Sequence, residues 1–330
     1  MGQWRLGLNL QAATATAINF PGVAGDLAAD EEAALTALVD DVGAGASALV
    51  AEAVGLKGAF YLPPIAQLSR AEWLTVAVAG MGRLFSPILE SVSRPTDSRV
   101  TRAMLSLELG GALGYMSKRV LGHYDWPLVP TDGGPPAIYI LGQNVLAFSS
   151  RHGLRTDELL LWLLAHELTH SAQFSKAAWL GEYLRDLVDE QLQVFSDLLS
   201  DSAGGSAGNL LLGLLTDGLV LAKTQALMAV IEGHADFVMS RIGKQVTPQA
   251  MGLATLMERH DARRSLLQRF LDRVLGLELK LSQYRLGKGF FAAVYREGGP
   301  DAVAKVWEGP AFLPDLEELA EPRRWLWRVC

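Results

Sequence analysis

The stretch Leu159-Leu160-Leu161-Trp162-Leu163-Leu164-Ala165-His166-Glu167-Leu168-Thr169-His170 decides how this chain is read. It runs apolar to Ala165 and then sets two histidines around a glutamate, in the order H-E-x-x-H. Four residues are about one helical turn, so both imidazoles stand on the same side of one helix. That arrangement offers two neutral nitrogens to one cation, and Glu167 lies beside them as a proton acceptor. Thr156 reads as the N-cap, and Asp157 and Glu158 in the first turn suit the positive end of the helix. A helix apolar on every side is buried, and two histidines with a carboxylate in a core are costly unless something satisfies them. A metal ion satisfies all three at once; the alternative is a pair of hydrogen-bonded core histidines.

A third ligand is required, and Ala229 to Val238 is the segment that supplies one. It lies within an apolar helical pattern over 218–242 and contains Glu232, His234 and Asp236. Residues two apart on a helix diverge by about 200°, so Glu232 and His234 cannot face one ion together. Glu232 is preferred, because Asp236 one turn on can hold the outer ring nitrogen of a motif histidine. His234 remains the alternative ligand.

The rest of the chain reads as mainly α with a small β contribution, an α+β fold. Helices are expected at 30–56, at 70–85 and from about 87, at 99–120, at 180–200, at 218–242 and from 247. Residues 1–24 read as an irregular lead-in, and 25–330 as a single domain. Its N-terminal helical part is 25–125; strand, metal helix and C-terminal helices fill 126–330. Gly110, Gly111 and Gly114 suggest close helix packing. Ala137 to Leu141 is the clearest strand, with 144–148 as a possible continuation; it is either an edge that pairs an extended peptide or an ordinary core strand. Residues 130–136 read as a turn and 201–209 as a flexible loop. The segment 261–281 reads as a charged, solvated helix face, and the tail from Gly287 as short elements.

Half of the 330 residues are hydrophobic and the net charge is -7. That balance, with no basic run, argues against nucleic acid as a partner. The one cysteine, Cys330, allows neither an internal disulfide nor a cysteine metal cluster. The apolar runs 73–89 and 210–231 are interrupted by charge, and the start is a poor signal peptide, so no membrane span and a cytoplasmic location are expected.

Several of these pieces together resemble the zincin-like metallopeptidase family of bacterial uncharacterised hydrolases. The matching residues are Val120 to Asp125, the strand through Asn144, and His166 to His170 with Gln173-Phe174 and Trp179-Leu180. Glu232 to Asp236 with Val238-Met239, Lys280 to Tyr284, Val306 to Glu308 and Leu313-Pro314 complete them, over about residues 100–330. His123 stands where that family favours Gln. The resemblance implies a mostly helical zincin-like domain with a small sheet, His166 and His170 as zinc ligands, Glu167 as general base and an acidic ligand from the Glu232 helix.

The expected function is therefore a zinc-dependent hydrolase acting on a peptide or protein, with Glu167 moving the proton from water to the leaving amine. Tyr124, His123 and Tyr284 are candidate oxyanion stabilisers. Hydrolysis of a non-peptide amide would use the same residues. A scaffold protein with a structural, four-ligand zinc is the alternative from another class.

Overall fold

A computed structural model describes residues 10–54, 62–91, 99–125, 137–201, 218–248, 250–262 and 281–329. The helices, in chain order, are α1 (Leu10–Ile18), α2 (Ala29–Ala53), α3 (Arg70–Ser91), α4 (Arg99–Ser117), α5 (Gly142–His152), α6 (Thr156–Lys176) and α7 (Leu180–Asp201). They continue with α8 (Gly218–Val246), α9 (Ala250–Ala262), α10 (Leu281–Lys305), α11 (Leu316–Ala320) and α12 (Pro322–Val329). Three short strands, β1 (Ile65–Leu68), β2 (Gly122–Tyr124) and β3 (Ile138–Leu141), form one sheet in the order β1-β3-β2. The expected turn at 130–136 lies outside the described residues, as do 202–217 and 263–280, which hold most of the expected loop and charged segment.

α6 is the central element. Its buried residues run from Leu159 to Phe174 on all sides, because α2, α5, α8 and β2 surround it. α2 meets it with a single stripe, Leu35, Val39, Gly43, Ala46 and Val50, at the three- and four-residue spacing of one helix face. By length and composition α2 is the one described helix that could cross a membrane, but that stripe is packed inside the protein. α10 lies along α8 at very short range. A Cβ on Gly287 would sit 1.9 Å from the Ala229 carbonyl oxygen, and one on Gly233 would sit 2.4 Å from the Gly287 backbone. Both glycines are required by this approach.

Several expectations are corrected here. Residues 10–18, read as part of an irregular lead-in, form α1. It packs on α4, where a Cβ on Gly110 or Gly114 would come within 2.4 Å of α1 or of Phe20. Gly111 points into open space, so two of the three glycines serve the contact. Residues 144–148 are helical rather than strand. Asn144 is buried and donates to the carbonyls of Ser117 and Val120, while accepting from Arg70 Nε, which ties α5 to the end of α4. β3 is the middle strand, parallel to β1 and antiparallel to β2, so it has no open edge for a peptide. Thr156 is the first helical residue rather than the cap, and its hydroxyl bonds to Ser149 Oγ. Gly287 lies inside the long α10, which breaks only at Gly299 (φ 71°) ahead of Pro300.

Candidate metal centre

α6 and α8 cross in the core and present the three expected ligands to one another. His166 Nε2 and His170 Nε2 are 3.2 Å apart, and each is 3.8 Å from Glu232 Oε2. The side chain of His170 is 4% exposed, whereas His166 and Glu232 keep 28% and 26%, so solvent reaches the cluster through those two residues. Among the described residues no further His, Cys, Asp or Glu joins this group.

One side chain sets the protonation of this site. Gln173 Nε2 lies 2.8 Å from the carbonyl oxygen of Ile231, which can only accept, so the amide nitrogen must face that way. The opposite end, Oε1, then accepts from His170 Nδ1 at 3.0 Å. His170 therefore carries its proton on Nδ1 and turns a lone pair on Nε2 toward His166 and Glu232. Either a proton on His166 Nε2 or a cation must lie between the two rings, since two lone pairs would repel at this distance. Burial first, and the neighbouring His170 second, pull the pKa of His166 down to about 4, against a weaker opposite effect of Glu232. A neutral imidazole is the form that binds metal, so the donor set fits a divalent ion. Gln173 Oε1 holds the outer nitrogen of His170, and Asp236 stands one turn beyond Glu232, partly buried.

Glu167 points from α6 toward the sheet. Its Oε2 accepts the backbone N–H of Tyr124 at 2.9 Å, and a Cβ on Gly122 would be 3.2 Å from its Oε1. The neighbouring Asp125 N–H is spent on Ala137 O, just before β3, so the Tyr124 amide lies on the outer edge of β2. Tyr124 thus reaches the site through its backbone, while its ring packs near Phe174 in the core. His123 faces the other side of β2, where its Nδ1 is 3.4 Å from Trp73 Nε1, and burial lowers its pKa while Asp125 opposes the shift. α10 includes Tyr284, but its side chain lies outside the described residues.

His234 is not among the clustered ligands. It is buried at 5% exposure on the far side of Gln173, and its Nδ1 accepts from the second hydrogen of Gln173 Nε2 at 3.1 Å. Rings of Phe291 and Trp307 stand 4.9 and 5.0 Å away. Sequence reasoning missed the part played by Gln173. Its spacing, three residues after His170 and so on the same helix face, was the available signal.

Residues 8–326 match the family of zincin-like metallopeptidases. The crystal structure of a candidate hydrolase with a novel fold from Chloroflexus aurantiacus is similar at a TM-score of 0.75 and 26% identity. The match covers 97% of this chain and 98% of that one. No curated protein matches the chain. A three-stranded sheet packed on a buried H-E-x-x-H helix, with a family match over nearly the whole length, places this protein in the zincin-like metallopeptidase family.

Proposed function

We propose that this chain is a zinc-dependent peptidase in which His166, His170 and Glu232 hold the metal and Glu167 is the general base. The observation that carries the reading is the convergence of three donor atoms, all within 4.8 Å of one another, beside a buried carboxylate held by a backbone amide. Zinc bound there would supply a Lewis acid that acidifies water and polarises a carbonyl. Nitrogen and oxygen donors in this mixture accept other divalent ions too, so zinc rests on the family.

The chain's own residues then do the following. Gln173 fixes the His170 ring with Nε2 forward. Tyr124 N–H holds Glu167 at Oε2, and Glu167 takes a proton from water and delivers it to the leaving amine. The Tyr124 tether also fixes the rotamer of Glu167, so less ordering remains to be done at the moment of reaction. A purely structural zinc needs a fourth protein ligand; the partial exposure of His166 and Glu232 supports the reactive reading instead.

The test is Glu167→Gln, assayed with a peptide library on zinc-loaded protein. Zinc content should stay at one equivalent while turnover falls by about 10²–10⁴-fold, the usual contribution of a positioned base. Unchanged hydrolysis would remove Glu167 from the reaction. Absence of hydrolysis in the unaltered protein, with zinc bound by four protein ligands, would favour the scaffold.

A further inference from the structure

Behind Gln173, away from the ligands, lies a cavity of about 210 Å³. Gln173 and His234 form its inner end, Phe237, Tyr295 and Trp307 wall it, and none of His166, His170 and Glu232 lines it. Two cations, Lys176 and Arg241, and one carboxylate, Glu52, also border it. All three of these are exposed residues, so they stand at the mouth.

His234 has its Nδ1 occupied by Gln173, which leaves its proton on Nε2. Among the described residues no oxygen or nitrogen accepts that proton; the remaining neighbours of the ring are the aromatic side chains of Phe291, Trp307 and Phe237. An aromatic face is a weak acceptor, and a buried donor without a better one is a costly feature to retain. Lys176 and Arg241 have no carboxylate within ion-pairing distance among the described residues. Arg241 instead lies over the ring of Tyr295 at 4.2 Å, and Glu308 acts on Lys176 only at longer range.

We propose that this cavity binds a small monocarboxylate with an apolar or aromatic body. The carboxylate accepts from His234 Nε2–H and faces Lys176, and the body packs against Phe237, Tyr295 and Trp307. The small volume limits the occupant to a small molecule, and Glu52 at the rim disfavours a dianion. The site stands apart from the metal centre and does not depend on peptidase activity, although Gln173 joins the two.

Phenylacetate, benzyl alcohol and benzylamine, which share a ring and differ in charge, test this by calorimetry on zinc-loaded and on chelator-treated protein. Phenylacetate should bind both forms, at least tenfold more tightly than benzyl alcohol, and benzylamine should not bind. Lys176→Gln, a surface change, should weaken phenylacetate by about fivefold, as expected for a partly exposed charge pair. Binding that needs the zinc would place the carboxylate on the metal and overturn the proposal. So would equal affinity for the alcohol, preference for the amine, unchanged affinity in Lys176→Gln, or no binding of phenylacetate at all.

Discussion

The two faces of Gln173 make an instructive pair. On each face a buried histidine is bonded to the same amide, His170 at Oε1 and His234 at Nε2. Because one end of an amide accepts and the other donates, the two rings are left in opposite tautomers. His170 turns a lone pair toward another imidazole and a carboxylate; His234 turns an N–H toward aromatic rings and a cavity. Equal burial and the same residue type therefore yield a lone pair turned to the candidate metal centre on one side and a hydrogen-bond donor on the other. The difference is fixed by one carbonyl, that of Ile231, which orients the amide.

The contrast can be broken most severely through α8, which carries Glu232 to one face and His234 to the other. Gly287→Ala forces a methyl group to within 1.9 Å of the Ala229 oxygen as the backbone now stands, so α8 and α10 must separate. Overpacking costs about 1–3 kcal/mol, and here at the upper end because the obstacle is backbone. Thermal unfolding should show a melting point lower by many degrees, together with weakened zinc binding; an unshifted melting point would mean the helices do not meet as described.

Removing the amide itself is the next largest effect. Gln173→Leu frees both tautomers, and loss of such a supporting hydrogen bond typically costs 10–100-fold in metal affinity. Competition with a zinc chelator measures it. A smaller response separates the faces: His234→Phe should lower stability by about 1 kcal/mol, since it leaves one Gln173 hydrogen unpaired, and should change zinc affinity less than about threefold. Equal losses of zinc in both variants would make His234 part of the metal centre.

Acid reports on both faces together. His166 and His234 have folded pKa values of about 4 and about 3, below the ordinary value of 6.5. Below 6.5 the unfolded chain binds protons that the folded chain refuses, so metal-free protein should lose stability progressively as pH falls from about 6.5 toward 3. Above that window these two groups contribute no further pH dependence. Melting temperatures of metal-free protein across this range check the sign, and His234→Phe should make the slope shallower.

Much of this was legible in the order of residues. H-E-x-x-H has a helical period that puts His166 and His170 on one side whatever surrounds them, and the 200° rule separated Glu232 from His234 before any packing was known. Local pattern failed where long-range pairing decided the outcome. Residues 10–18 carry little periodicity of their own and become α1 against the glycines of α4. Residues 144–148 have strand-like composition but are held as helix through Asn144, whose three hydrogen bonds reach other elements.

What the sequence alone determined, then, is the face of α6 that gathers His166 and His170 and the separation of Glu232 from His234 on α8, because both follow from helical geometry within short segments. Only the tertiary structure decided that Gln173 orients the histidines, that the Tyr124 amide holds Glu167 and that His234 looks into a separate cavity. Each of those depends on groups distant along the chain, as from Tyr124 to Glu167 or Gln173 to Ile231, whose approach is set by packing and leaves no periodic trace.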